Sequence, residues 1–136
     1  MNTMNNPWGQ RAQDEWSHAV RRAEAGAEAW REVVHTQRSA APDHVDFYGL
    51  AGEMVGTLRV LDSLVALVTG QVVGYGNGRA VYDDEGVNPA HRLRSAVLAL
   101  VETRDELAQA ERAANRFWSA IGHIGVETGP VGEVPR

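Results

Sequence analysis

At 136 residues the chain has the length of one domain and can bury a core without covalent staples. It contains no cysteine, which excludes disulfides, thiolate metal sites and a cysteine nucleophile. All 13 basic residues are arginine, so no lysine exists for Schiff-base chemistry or to grip a nucleotide phosphate, and the net charge of −5 falls entirely within residues 42–87, where Arg59 and Arg79 stand against seven acids.

The opening "MNTMNNPWGQR" has no basic start followed by an apolar run, so no secretory signal is expected. The most apolar stretch, "LVALVTGQVVGY", is too short for a membrane span. A soluble, cytoplasmic protein without membrane contact is the expectation. Arginine without lysine, beside much Ala, Gly and Val, points to a GC-rich genome of the actinobacterial kind, or to one of its phages or plasmids.

The first helical pattern runs from about Trp8 to Thr36. Ala12, Trp16, Ala19, Val20, Ala23, Ala27, Trp30 and Val34 recur at spacings of three and four, which places them on one stripe. Asn6 offers a cap and Pro7 a first helical position. "SAAPD" at 39–43 stops the helix, because the residue before a proline is pushed out of helical conformation. The spacing predicts that Trp16 and Trp30, and Trp118 further on, are largely buried.

The second pattern spans about Val45 to Val73, with Asp43 or Asp46 as cap. Its stripe is Phe47, Leu50, Ala51, Met54, Leu58, Leu61, Val65, Val68 and Val72. Val60, Leu64 and Leu67 form a second stripe about 120° round the helix. A helix apolar on two sides packs on two sides, so the second stripe meets either the chain's own core or another subunit.

"GQVVGYGNGRAVYDDEG", residues 70–86, then packs five glycines, two tyrosines and three consecutive acids between two helices. A phosphate-binding loop follows a strand and opens a helix. Here the preceding segment is helical, no lysine is available, and Asp83, Asp84 and Glu85 repel phosphate. A short hairpin of "VVGY" and "RAVY" about Asn-Gly is an alternative, but an isolated hairpin is marginal. The expected structure is a frayed helix end and a loop of roughly ten residues, with Tyr75, Tyr82 and the acids as a contact surface. The third pattern opens on Asn88 as cap and Pro89 at the first position and runs to about Gly122. Leu93, Val97, Leu100, Leu107, Ala114, Trp118 and Ile121 mark its stripe, with Arg104 and Glu111 at its edge, their stems covering apolar surface and their charges in water.

Three arrangements bear on catalysis. Glu15-Trp-Ser-His18 and Glu32-Val-Val-His35 are Glu-x-x-His pairs of the di-iron type, but both lie on one helix about 25 Å apart at 1.5 Å per residue, so their ligands diverge. Glu102-Thr-Arg-Asp105, with Glu24 and Glu28 elsewhere, resembles the all-helical nucleotide pyrophosphohydrolases of the MazG type, in which the acids face a magnesium-binding interior. Here Glu102 and Asp105 point about 140–160° away from the apolar seam. His44 between Asp43 and Asp46 could move a proton, but no nucleophile with a partner accompanies it.

These readings converge on an all-α protein: three long helices in an up-down-up antiparallel bundle over residues 1–122, followed by a flexible C-terminal tail at 123–136. No catalytic residue, metal or cofactor is expected. The interface candidates are Val60, Leu64, Leu67, Tyr75, Tyr82, Asp83 and Asp84. The expected function is a non-enzymatic helical interaction or structural accessory protein, a homodimer with room for a further protein partner. A helical metal-dependent nucleotide hydrolase is the alternative, and a DNA-binding regulator a third; a neutral–acidic–neutral chain without a basic run is poorly suited to neutralising duplex phosphates.

Overall fold

The computed structural model describes residues 17–127. The protein is all-α; among the described residues it has three helices and no strand: α1 His18–Arg38, α2 His44–Val73 and α3 Pro89–Ile121. The chain divides after Pro42 into two compact units, α1 belonging to the first, α2 and α3 to the second.

Within the described residues α1 begins at His18, so the single helix expected across Ser17 is interrupted there. Ser17 has extended backbone, with ψ 157°, and its hydroxyl accepts the Val20 N–H at 3.3 Å. That N-cap satisfies one of the donors a helix start leaves open. Asn6, Pro7, Trp8, Ala12 and Trp16 lie outside the described residues. At the other end His35 and Arg38 sit in the last turn, where cations suit the helix dipole. No α1 residue is fully buried, Val20 and Val34 are exposed, and Trp30 is only half-buried. Trp30 keeps less of its surface in water than Val20 or Val34, which share its stripe.

Helices α2 and α3 begin on strong local signals. Both acids proposed as the α2 cap are used. The Asp43 carboxylate accepts the Val45 and Asp46 N–H groups at 3.0 and 3.1 Å, and the Asp46 carboxylate accepts the Asp43 N–H at 3.1 Å. This reciprocal capping box settles two open donors at once. For α3, the Asn88 side-chain oxygen accepts the Ala90 N–H at 2.9 Å and Pro89 occupies the first turn, where its missing N–H costs nothing.

The two helices form an antiparallel hairpin. As the touching residues advance along α2 from Tyr48 to Gly52, Arg59 and Asp62, their partners on α3 step back from Gly122 to Trp118, Glu111 and Arg104. The less exposed positions Ala51, Val55, Leu58, Asp62, Val65, Thr69 and Val72 of α2, and Leu107, Glu111, Ala114, Trp118 and Ile121 of α3, recur at spacings of three and four, and the two helices pack on each other. That is the seam of a coiled-coil pair. Only Ala51, Val55 and Ala114 are buried among the described residues, at 0, 1 and 8 % exposure. Small side chains there let the helices approach closely. Next to them Trp118 lies on the backbone of Gly52, where an added Cβ would come within 3.1 Å of the indole. Trp118 also meets Tyr48 with ring centroids 5.8 Å apart. Its exposure is intermediate, and its indole nitrogen is out of reach of water.

Arg104 and Glu111 have cross-helix partners instead of reaching only into water. Arg104 Nε donates to Asp62 at 3.0 Å, and Arg59 pairs with Glu111. Polar pairs in such a seam fix register more than they add stability. With the side chains of Arg104 and Asp62 at 54 and 35 % exposure, a double-mutant cycle on this pair should return a coupling of roughly 0.2–1 kcal/mol by urea denaturation.

Candidate functional site

The outer side of α2 carries a row of exposed apolar side chains. Val60, Leu64 and Leu67 are 69, 47 and 61 % exposed. By helical geometry they lie about 120–180° from the seam residues Ala51, Val55 and Leu58, so α3 cannot cover them. Met54 and Leu61, 42 and 41 % exposed, point in a third direction between the two. The longer stripe read from the sequence is therefore covered unevenly: Ala51 is buried and Leu58, Val65 and Val72 are partly covered, whereas Met54 and Leu61 are exposed.

Residues 74–88 form an ordered loop of consecutive turns, with no hairpin strands. Tyr75, Asn77 and Arg79 donate their N–H groups to the carbonyls of Val72, Gly74 and Gly76, at 3.1, 3.2 and 3.4 Å. Gly78, at φ 72°, supplies the left-handed residue that turns the chain. The Arg79 guanidinium sits 4.5 Å from the Tyr75 ring centroid and donates to the Tyr75 carbonyl at 3.0 Å. Tyr75 and Tyr82 are exposed, Tyr82 at 83 %, and Asp84 is exposed as well.

Asp83 behaves differently from its acidic neighbours. Its side chain is only 5 % exposed. One carboxylate oxygen accepts the Glu85 and Val87 N–H groups at 2.9 and 3.0 Å, and the other accepts Arg92 Nε at 2.6 Å. Asp83 thus ties the loop to the first turns of α3 and is not free to touch a partner. The Arg92 hydrogen bond holds its carboxyl at about 2, well below the usual 3.8, with the two backbone N–H bonds and the Arg92 charge adding to the effect against a smaller push upward from burial. A depressed folded-state value means that the clamp contributes fully above about pH 3.8 and is lost as pH falls toward 2. The Glu85 and Val87 amide shifts should accordingly titrate with a midpoint near 2, and Asp83→Asn should remove that titration; a midpoint at the ordinary carboxylate value would mean that the clamp is open in solution.

The hairpin has a pocket at each end. The loop-end pocket, of about 450 Å³, lies between the last turn of α2, the loop and the first turns of α3. The other, of about 400 Å³, is lined by Tyr48, Trp118, Asn115, Ser119 and His123. Neither is visible in the sequence, because each needs residues from both helices. Trp118 Nε1 is buried beside Gly52 without a hydrogen-bond partner.

The residues considered for chemistry stay apart. Glu15 lies outside the described residues, and His18, Glu32 and His35 are exposed along α1. Glu102 and Asp105 are exposed on α3. The carboxylates of Asp43 and Asp46, beside His44, are engaged by the backbone N–H groups of the capping box. Among the described residues no three His, Asp or Glu side chains come together as a metal-ligand group, and no helix is long and apolar enough to cross a membrane. No family model, curated protein or solved structure matches the chain.

Proposed function

We propose that this protein is a non-enzymatic helical interaction module that pairs with a second copy of itself through the outer face of α2. The observation that supports this most is the exposure of Val60, Leu64 and Leu67 on the side of α2 opposite the hairpin seam. An apolar row of this kind marks an interface, and homo-oligomers most often have twofold symmetry. Two α2 helices crossing antiparallel about Leu64 would set each residue against its own row.

The energetics favour a modest affinity. Full burial of an aliphatic side chain is worth about 1.5–3 kcal/mol. Six such side chains, each already partly covered, give on the order of 5–10 kcal/mol. Association costs about 4–15 kcal/mol of lost freedom, so rim contacts from Tyr75, Tyr82 and Asp84 would decide between a weak and a stable dimer. Sedimentation equilibrium of the full chain at tens of micromolar (on the order of a micromolar dissociation constant) should give twice the chain mass. A monomer at that concentration overturns the reading.

A further inference from the structure

The loop-end pocket has the character of a small-molecule site. Its volume of about 450 Å³ lies within the range of roughly 300–1,000 Å³ typical of such sites, which are mostly apolar with a few placed polar groups. Val72, Gly76, Val81, Leu93 and Val97 make the apolar wall. Arg94 is the one charged residue in the lining.

The pocket is held open by contacts already described. Asp83 and Arg92 fasten the loop to α3, and the turns through Gly78 fix its other limb. Gly76 leaves space that a side chain would take: an added Cβ would already stand 3.5 Å from Leu93 Cδ1. The two arginines of this turn are used differently. Arg92 is bound by Asp83 and Glu85, whereas Arg94 makes no ion pair among the described residues.

We infer that this pocket binds a small amphiphilic carboxylate, with an alkyl or aryl body against the valines and Leu93 and its carboxylate on the Arg94 guanidinium. The guanidinium fork matches a carboxylate in two parallel hydrogen bonds. A neutral chain of the same length would fill the wall but leave Arg94 to water, and a cationic head would be repelled. The inference does not depend on self-association, because none of the pocket residues belongs to the Val60, Leu64 and Leu67 row.

Decanoate and decan-1-ol, both kept below micelle-forming concentration, are the matched probes, with binding followed by amide shifts in ¹H–¹⁵N spectra of the full chain. Decanoate should saturate at one equivalent and bind about tenfold or more tighter than decan-1-ol, the scale of a charge-assisted hydrogen bond. Arg94→Gln should abolish that preference and leave decan-1-ol binding unchanged. Ala90→Phe, at an exposed lining position, should block both probes with helical circular dichroism retained; Gly76→Leu serves if that variant loses helicity. Leu64→Glu should bind decanoate like wild type, so failure of the dimer and failure of the pocket are separable. The inference is overturned by equal affinities for the two probes, by binding that survives Ala90→Phe or Gly76→Leu, or by the absence of saturable binding.

Discussion

Val55→Asp should unfold the α2–α3 hairpin, while Val60→Asp should leave it folded. The two valines are five residues apart on one helix, about 140° round its axis. Val55 is 1 % exposed in the seam, and Val60 is 69 % exposed on the outer face. A carboxylate at position 55 must either ionise away from water or take up a proton, and both routes cost several kcal/mol. The seam has little to set against that cost, because Ala51, Val55 and Ala114 are its only buried residues among those described. Thermal melts followed by circular dichroism separate the two outcomes. Comparable melting of both variants would mean that α2 meets α3 through a different face. The milder Val55→Ala leaves a cavity of two methyl groups and should cost about 1–3 kcal/mol, which keeps the test quantitative if Val55→Asp fails to accumulate.

The second large effect is expected from Leu64→Glu. On a twofold axis across the outer face, this substitution sets two carboxylates against each other and removes two leucines from the contact. Like charges brought together out of water cost several kcal/mol, more than a micromolar interface can absorb. The variant should sediment as a monomer and keep the wild-type helix content, because Leu64 is already 47 % exposed within the chain and its loss leaves the seam intact. A monomeric wild type combined with a Leu64→Glu variant that unfolds would assign the row to the chain's own core. A dimer that survives the substitution would place the interface elsewhere, with the exposed Phe117 and Leu98 of α3 the next surface to test.

The limits of α2 and α3 were legible because the interactions that set them are local. The Asp43–Asp46 box and the Asn88–Pro89 start act across two or three residues, so a short string of residue types carries the whole signal. At α1 the pattern carried one helix across Ser17, which is instead its N-cap. Pro7 and Asn6 make a stronger pattern than Ser17, yet Ser17 lies within the apolar spacing and caps the helix. Periodicity alone does not register a cap that falls within it.

Residue pattern alone determined that this chain forms long amphipathic helices, where α2 and α3 begin and end, and that α2 has more apolar surface than one partner helix can cover. Tertiary structure decided which side of α2 faces α3, that Arg104 and Glu111 answer Asp62 and Arg59 across the seam, that Asp83 closes on Arg92 while Asp84 stays free, and that Gly76, Leu93 and Arg94 share one pocket. Caps and helical spacing are satisfied by neighbours within a turn or two. A seam, an ion pair or a pocket is satisfied by groups from two helices, and their meeting depends on the register that small side chains at Ala51, Gly52 and Ala114 allow when the helices close on each other.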